Sequence, residues 1–153
     1  MKIQWMITLS ALTLFAAAPP GFKYWSASEL RGFDRKLDAK MDGKGIVTEQ
    51  LDTYSNHSAM VAHRVASGEA ELHVRVADLF VVESGTATLV VGGTIPKAKT
   101  TTPGEVRGAS IEGGVKQQLS AGDVVHIPAN TPHQLLLAPG TKFTYFVMKV
   151  KDQ

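Results

Sequence analysis

From Ile46 almost to the C-terminus, the sequence is cut into short runs of β-branched and aromatic residues by Gly, Pro and Asn, and none of these runs has the period or length of a helix. Strand-like segments fall at 46–54, 58–66, 70–76, 78–84, 86–92, 115–119, 123–127, 132–137 and 142–150. So many short strands at this spacing predict an all-β sandwich or barrel. The segment 93–114, GTIPKAKTTTPGEVRGASIEGG, is rich in Gly, Thr, Pro and charge, and reads as a long excursion between strands. At 153 residues with 44% apolar and 20% charged side chains, the chain has the length and composition of one domain with one core.

Ahead of the strands, residues 26–41 place Ser26 three positions before Glu29, the spacing of a capping box. Leu30, Phe33, Leu37 and Met41 follow at helical intervals. One amphipathic helix is expected there, in an N-terminal extension over 19–45. The first eighteen residues join a basic Lys2 to an apolar stretch from Trp5 to Phe15 and alanines at 16–18, which reads as a signal peptide for a secreted or periplasmic protein. The apolar stretch falls short of the ~20 residues of a spanning helix, so no stable membrane span is expected. With no cysteine, disulfides, thiolate metal ligands and a cysteine nucleophile are excluded. A formal charge of +2, without a basic run interleaved with aromatics, gives no reason to expect nucleic acid as a partner.

Polar residues that stand beside turns in otherwise apolar strands carry the chemistry. His73, Asp78 and His133 are two imidazoles and a carboxylate, donors that suit a divalent transition metal such as Zn, Mn, Fe, Ni or Cu. Alternation along a strand puts His73 and Arg75 on one face. A tight turn at Ser67-Gly68 or Gly68-Glu69 would pair 58–66 with 70–76, placing Arg64, Ala62 and Met60 on the face of His73 and His63 on the other. Arg64 and Arg75 beside a metal would favour an anionic ligand, because a guanidinium fork matches a carboxylate. A structural pair with Glu71 is the alternative role for Arg64. His126, two residues before Pro128, is a further candidate ligand-binding residue, on the face of Val124. Pro128 lacks an amide proton, and Asn130-Thr131-Pro132 makes a constrained turn, so His133 enters the next strand with little freedom. There is no Gly-x-Ser-x-Gly elbow, phosphate-binding lysine loop or dinucleotide fingerprint.

Residues 68–85 and 122–137 resemble the two motifs of the cupin superfamily. The first family motif, G(x)5HxH(x)3-4E(x)6G, is matched by Gly68-(x)4-His73-x-Arg75-(x)2-Asp78-(x)6-Gly85. The second, G(x)5PxG(x)2H(x)3N, is matched by Gly122-(x)5-Pro128-x-Asn130-(x)2-His133, with Leu137 where the asparagine would stand. The likeness covers about 46–150.

It implies a double-stranded β-helix, a jelly-roll-like barrel, with His73, Asp78 and His133 as metal ligands around its lumen. Arg75 stands at the position of the second histidine and cannot ligate, because its guanidinium is never deprotonated. Three residues with waters would then hold the ion, or His126 or His57 would complete the shell, or the pocket would be metal-free with Arg75 as the ligand anchor. The expected function is binding of a divalent metal and a small anionic or oxygen-rich organic molecule, with catalysis left open and a homodimer as the family's common assembly. The alternative is a non-catalytic binder or sensor without metal.

Overall fold

The computed structural model describes residues 17–152. All but the last two residues of the expected signal peptide therefore lie outside the described residues.

Helix α1 runs over Ala27–Asp38 and starts as the sequence requires. The Ser26 side chain accepts the Glu29 amide while the Glu29 carboxylate accepts the Ser26 amide. Gly32 sits inside the helix, with open space where a Cβ would stand. The helix ends three residues before the expected Met41. Leu37 is its fully buried residue, and Trp25 just ahead of it packs on Phe146, ring centroids 5.9 Å apart.

Ten strands follow. They are β1 (Ile46–Thr53), β2 (His57–Arg64), β3 (Ala70–His73), β4 (Val76–Val91), β5 (Lys99–Thr102), β6 (Glu105–Gly108), β7 (Val115–Ser120), β8 (Val124–Ile127), β9 (His133–Leu136) and β10 (Phe143–Lys151). All pairings are antiparallel. One sheet joins β1, β2, β10, the first half of β4 and β8; the other joins β5, β6, β3, β9, the second half of β4 and β7. The curled, mostly β architecture is that of a double-stranded β-helix.

The strand β4 is shared by both sheets, and Gly85 is where it passes from one to the other. Gly85 takes φ +81, and a Cβ there would run into the Lys142 carbonyl, so the bend admits no side chain. Sequence breaks at Gly85 suggested two strands, 78–84 and 86–92, where there is one bent strand. Along each sheet, side chains alternate between the lumen and the outside. Phe80, Val82, Leu89, Phe143, Tyr145 and Val147 fill the lumen side. Ala59, Val61 and His63 lie on the other face of β2, where His63 Nδ1 bonds Thr144 at 2.8 Å and Nε2 faces Asp38 of α1 at 3.4 Å.

Two expectations are corrected. The segments 58–66 and 70–76 do not form a hairpin, because β2 pairs with β1 and β10 while β3 pairs with β6 and β9. Residues 65–69 instead cross from one sheet to the other. The segment 93–114 is more than an excursion, since it contains the β5–β6 hairpin, which extends the second sheet beyond β3. Its Thr and charged residues conceal strands because β5 is an exposed edge strand and β6, between it and β3, is only half-buried.

Candidate metal and ligand site

Cross-strand neighbours assemble the site, since residues directly opposite in an antiparallel pair share a face. Glu71 lies opposite His133 of β9 and Arg107 of β6, and His73 lies opposite Glu105 of β6. On the other sheet, Asp78 of β4 lies opposite Lys149 of β10. Closing the barrel brings the two groups together.

Both histidines present the same nitrogen to the lumen. His133 Nδ1 is 3.0 Å from the Thr131 carbonyl, which can only accept, so Nδ1 carries the proton and Nε2 keeps its lone pair. The turn before it is held by Asn130, in the left-handed region at φ 59, whose amide donates to the His73 carbonyl at 2.7 Å. His73 Nδ1 lies 2.7 and 2.9 Å from the Glu105 carboxylate oxygens, which again assigns the proton to Nδ1. The ring centroids of His73 and His133 are 5.3 Å apart. Their Nε2 atoms face Asp78 Oδ2 at 3.4 and 3.6 Å, and His73 Nε2 also faces Glu71 Oε2 at 3.6 Å. Ligand atoms of Glu71, His73 and His133 all fall within 4.8 Å of one another. A protonated Nδ1 anchored from outside, with an unprotonated Nε2 inside, is the orientation in which histidine binds a metal.

Burial pushes His133 below the ordinary histidine pKa, which keeps it a neutral donor. Burial acts on Asp78 in the opposite sense, raising its pKa, but His73 and Lys149 together outweigh that and hold the carboxyl below its usual range. The Lys149 ammonium donates to both Asp78 oxygens at 2.8 and 3.0 Å and contacts His73 Nε2 at 3.0 Å.

A cavity of about 200 Å³ opens beside these residues, with Glu71, Asp78, His133 and Lys149 on one side and Met60, Ala62, Phe80 and Val147 as its apolar wall. Buried Arg64 projects into it, its Nε donating to the Tyr145 hydroxyl at 3.1 Å and its Nη2 to Glu71 at 3.3 Å. Burial works against the Arg64 charge, but Tyr145 and Glu71 outweigh it and raise the pKa. Arg64 thus pairs with Glu71 and lines the cavity at the same time.

The structure brings His73, Asp78, His133 and Arg64 to one place, and leaves Arg75 and His126 out. The strand β3 ends at His73, so alternation stops there, and Arg75 turns to solvent and pairs with Asp152 at 2.8 Å. It cannot anchor a ligand in the lumen. His126 is exposed and lies opposite Leu79, on the outer side of β8, so it does not complete a shell. His57 is remote as well, stacked on Tyr54 at 4.4 Å.

Sequence reasoning named Glu71 only as a partner for Arg64 and passed over Glu105, Arg107 and Lys149. The signal for Glu71 was present: it lies two residues before His73 and shares its face. With Glu71 and His73 in the two histidine positions of the first motif, the pattern reads Glu71-x-His73-(x)4-Asp78-(x)6-Gly85, and the carboxylate falls at family spacing. Lys149 was likewise in phase with Tyr145 and Val147 on a foreseen strand. Glu105 and Arg107 had no such signal, because their strand was not foreseen.

No protein-family model matches the chain, and no curated protein matches it. Among solved structures, an uncharacterized conserved protein with a double-stranded β-helix domain from Klebsiella pneumoniae aligns with a TM-score of 0.58 at 13% identity, over 86% of this chain and 92% of that one. The Cnp3 cupin domain of Schizosaccharomyces pombe aligns with a TM-score of 0.53 at 10% identity, over 71% of this chain and 66% of that one. The DMSP lyase DddQ of Ruegeria pomeroyi aligns with a TM-score of 0.51 at 16% identity, over 70% of this chain and 47% of that one, so this chain spans about half of its length.

Proposed function

Starting from a chain with the double-stranded β-helix fold of the cupin superfamily, we propose that it binds a divalent transition metal through Glu71, His73, Asp78 and His133, and a small anionic organic molecule in the adjoining cavity. The observation that carries this reading is the pair of inward Nε2 lone pairs, each fixed by an outward Nδ1–H bond, facing carboxylates from both sheets. Two imidazoles and two carboxylates fit hard or borderline ions such as Zn, Mn, Fe or Ni better than a soft ion that prefers sulfur.

A bound ion would supply Lewis acidity to a ligand oxygen beside it. The chain's own residues do the rest. Arg64 offers a permanently charged fork to a carboxylate or comparable oxyanion, preorganised by Tyr145 and Glu71. The wall of Met60, Ala62, Phe80 and Val147 excludes water from the ligand's carbon skeleton. The cavity volume limits that ligand to a few carbon atoms with their oxygens. Catalysis is compatible with this arrangement, and the fold does not choose a reaction class.

Elemental analysis with native mass spectrometry of gently purified protein tests the proposal. About one divalent ion per chain is expected, falling at least about a hundredfold in affinity in His133→Ala, which removes a ligand. Full metal content in that variant, or none in the parent protein, would overturn the metal assignment.

A further inference from the structure

The Lys149 ammonium lies where a cation for this donor set belongs, 2.8 and 3.0 Å from the Asp78 oxygens and 3.0 Å from His73 Nε2. His73 Nε2 has one lone pair, because the ring proton is on Nδ1, bound to Glu105. That lone pair can accept from Lys149 or bind a metal, but not both. Lysine side chains rotate about four bonds, and this one, at 29% exposure, is free to swing toward the cavity it lines.

We propose that Lys149 is a built-in competitor for the metal: it fills the position between Asp78 and His73 until a divalent ion displaces it, and the displaced ammonium becomes a contact for the anionic ligand. The inference rests on the metal-binding reading above and adds the exchange to it. Charge balance supports the exchange. Glu71, Asp78 and Glu105 face Arg64, Arg107 and Lys149, three charges of each sign. Adding a divalent ion while Lys149 stays would leave two uncompensated positive charges in a largely buried cluster, which is costly. Moving the ammonium out toward the cavity removes one of them. A monoanionic ligand between it and Arg64 offsets part of the remaining excess, so metal and anion bind cooperatively.

Zinc titration of the intact protein against a chelating indicator, alongside Lys149→Met, tests this. Methionine keeps most of the length of the side chain and removes its charge. The variant is expected to bind zinc at least about tenfold more tightly than the parent. Equal affinity would overturn the exchange while leaving the metal site standing, whereas no zinc binding by either protein overturns the metal reading and this inference with it. Reductive methylation of the unaltered protein gives a reading that does not depend on the variant's folding. Labelling of Lys149 should rise severalfold on adding zinc, with exposed Lys44 as the unchanged reference, and a Lys149 signal indifferent to zinc would overturn the proposal.

Discussion

His133 shows how one residue's burial becomes a property of the protein. Its imidazole is neutral in the fold because burial lowers its pKa from the ordinary 6.5. In the unfolded chain the same ring takes a proton near pH 6.5, so between that value and the lower folded pKa the unfolded state binds more protons. Stability of the metal-free protein should therefore fall as pH drops below about 6.5, with a slope of at most ~1.4 kcal/mol per pH unit from this group. Asp78 behaves differently, since its folded pKa is depressed, and its contribution is lost only at lower pH, below the ordinary 3.8. Urea unfolding between pH 7.5 and 5.5 with a chelator present checks the first effect. His133→Gln should flatten the dependence over that range, and an unchanged slope in the variant would show that another group is responsible.

The strand β6 shows what an element can supply that motif spacing does not describe. It lies outside both motif segments, yet its register against β3 sets Glu105 opposite His73 and Arg107 opposite Glu71. Glu105 touches no ligand position in the lumen. It fixes which nitrogen of His73 is protonated and holds the ring's orientation. Such outer carboxylates typically contribute a factor of about 10–100 to metal affinity. Glu105→Ala should weaken metal binding by about that much while the protein keeps its fold, and Glu105→Gln, which retains an acceptor, should recover part of the loss. Zinc titration beside circular dichroism checks both, and undiminished affinity in Glu105→Ala would show that the His73 ring is held by something else. The helix α1 works at the same scale through Asp38, which joins buried His63 to Lys142 at 2.7 Å and so ties the extension to the barrel.

At the scale of the whole molecule, the N-terminal reading is the proposal with the widest consequence. A basic residue, an apolar stretch and alanines over 1–18 direct the chain out of the cytoplasm in our reading. Expressed in a bacterium with its own leader, the protein should be recovered from the periplasm or the medium, and a purely cytosolic product would contradict that reading. By itself the sequence determined what is local: strands from alternation and punctuation, the start of α1 from its capping box, the rigid turn before His133 from Pro128 and Asn130, and the barrel from two motifs. Tertiary structure decided what is not. Alternation says that Glu71 accompanies His73 and Lys149 accompanies Tyr145, but not which strand lies opposite, so the meeting of Asp78 with Lys149 and of His73 with Glu105 is invisible along the chain. The phase of Arg75 was lost for a related reason. Alternation holds only while a strand continues, and β3 ends at His73, opposite Glu105 where its partner β6 begins. Pairing between distant segments fixes strand ends and opposite faces, and those select which polar residues enter the lumen.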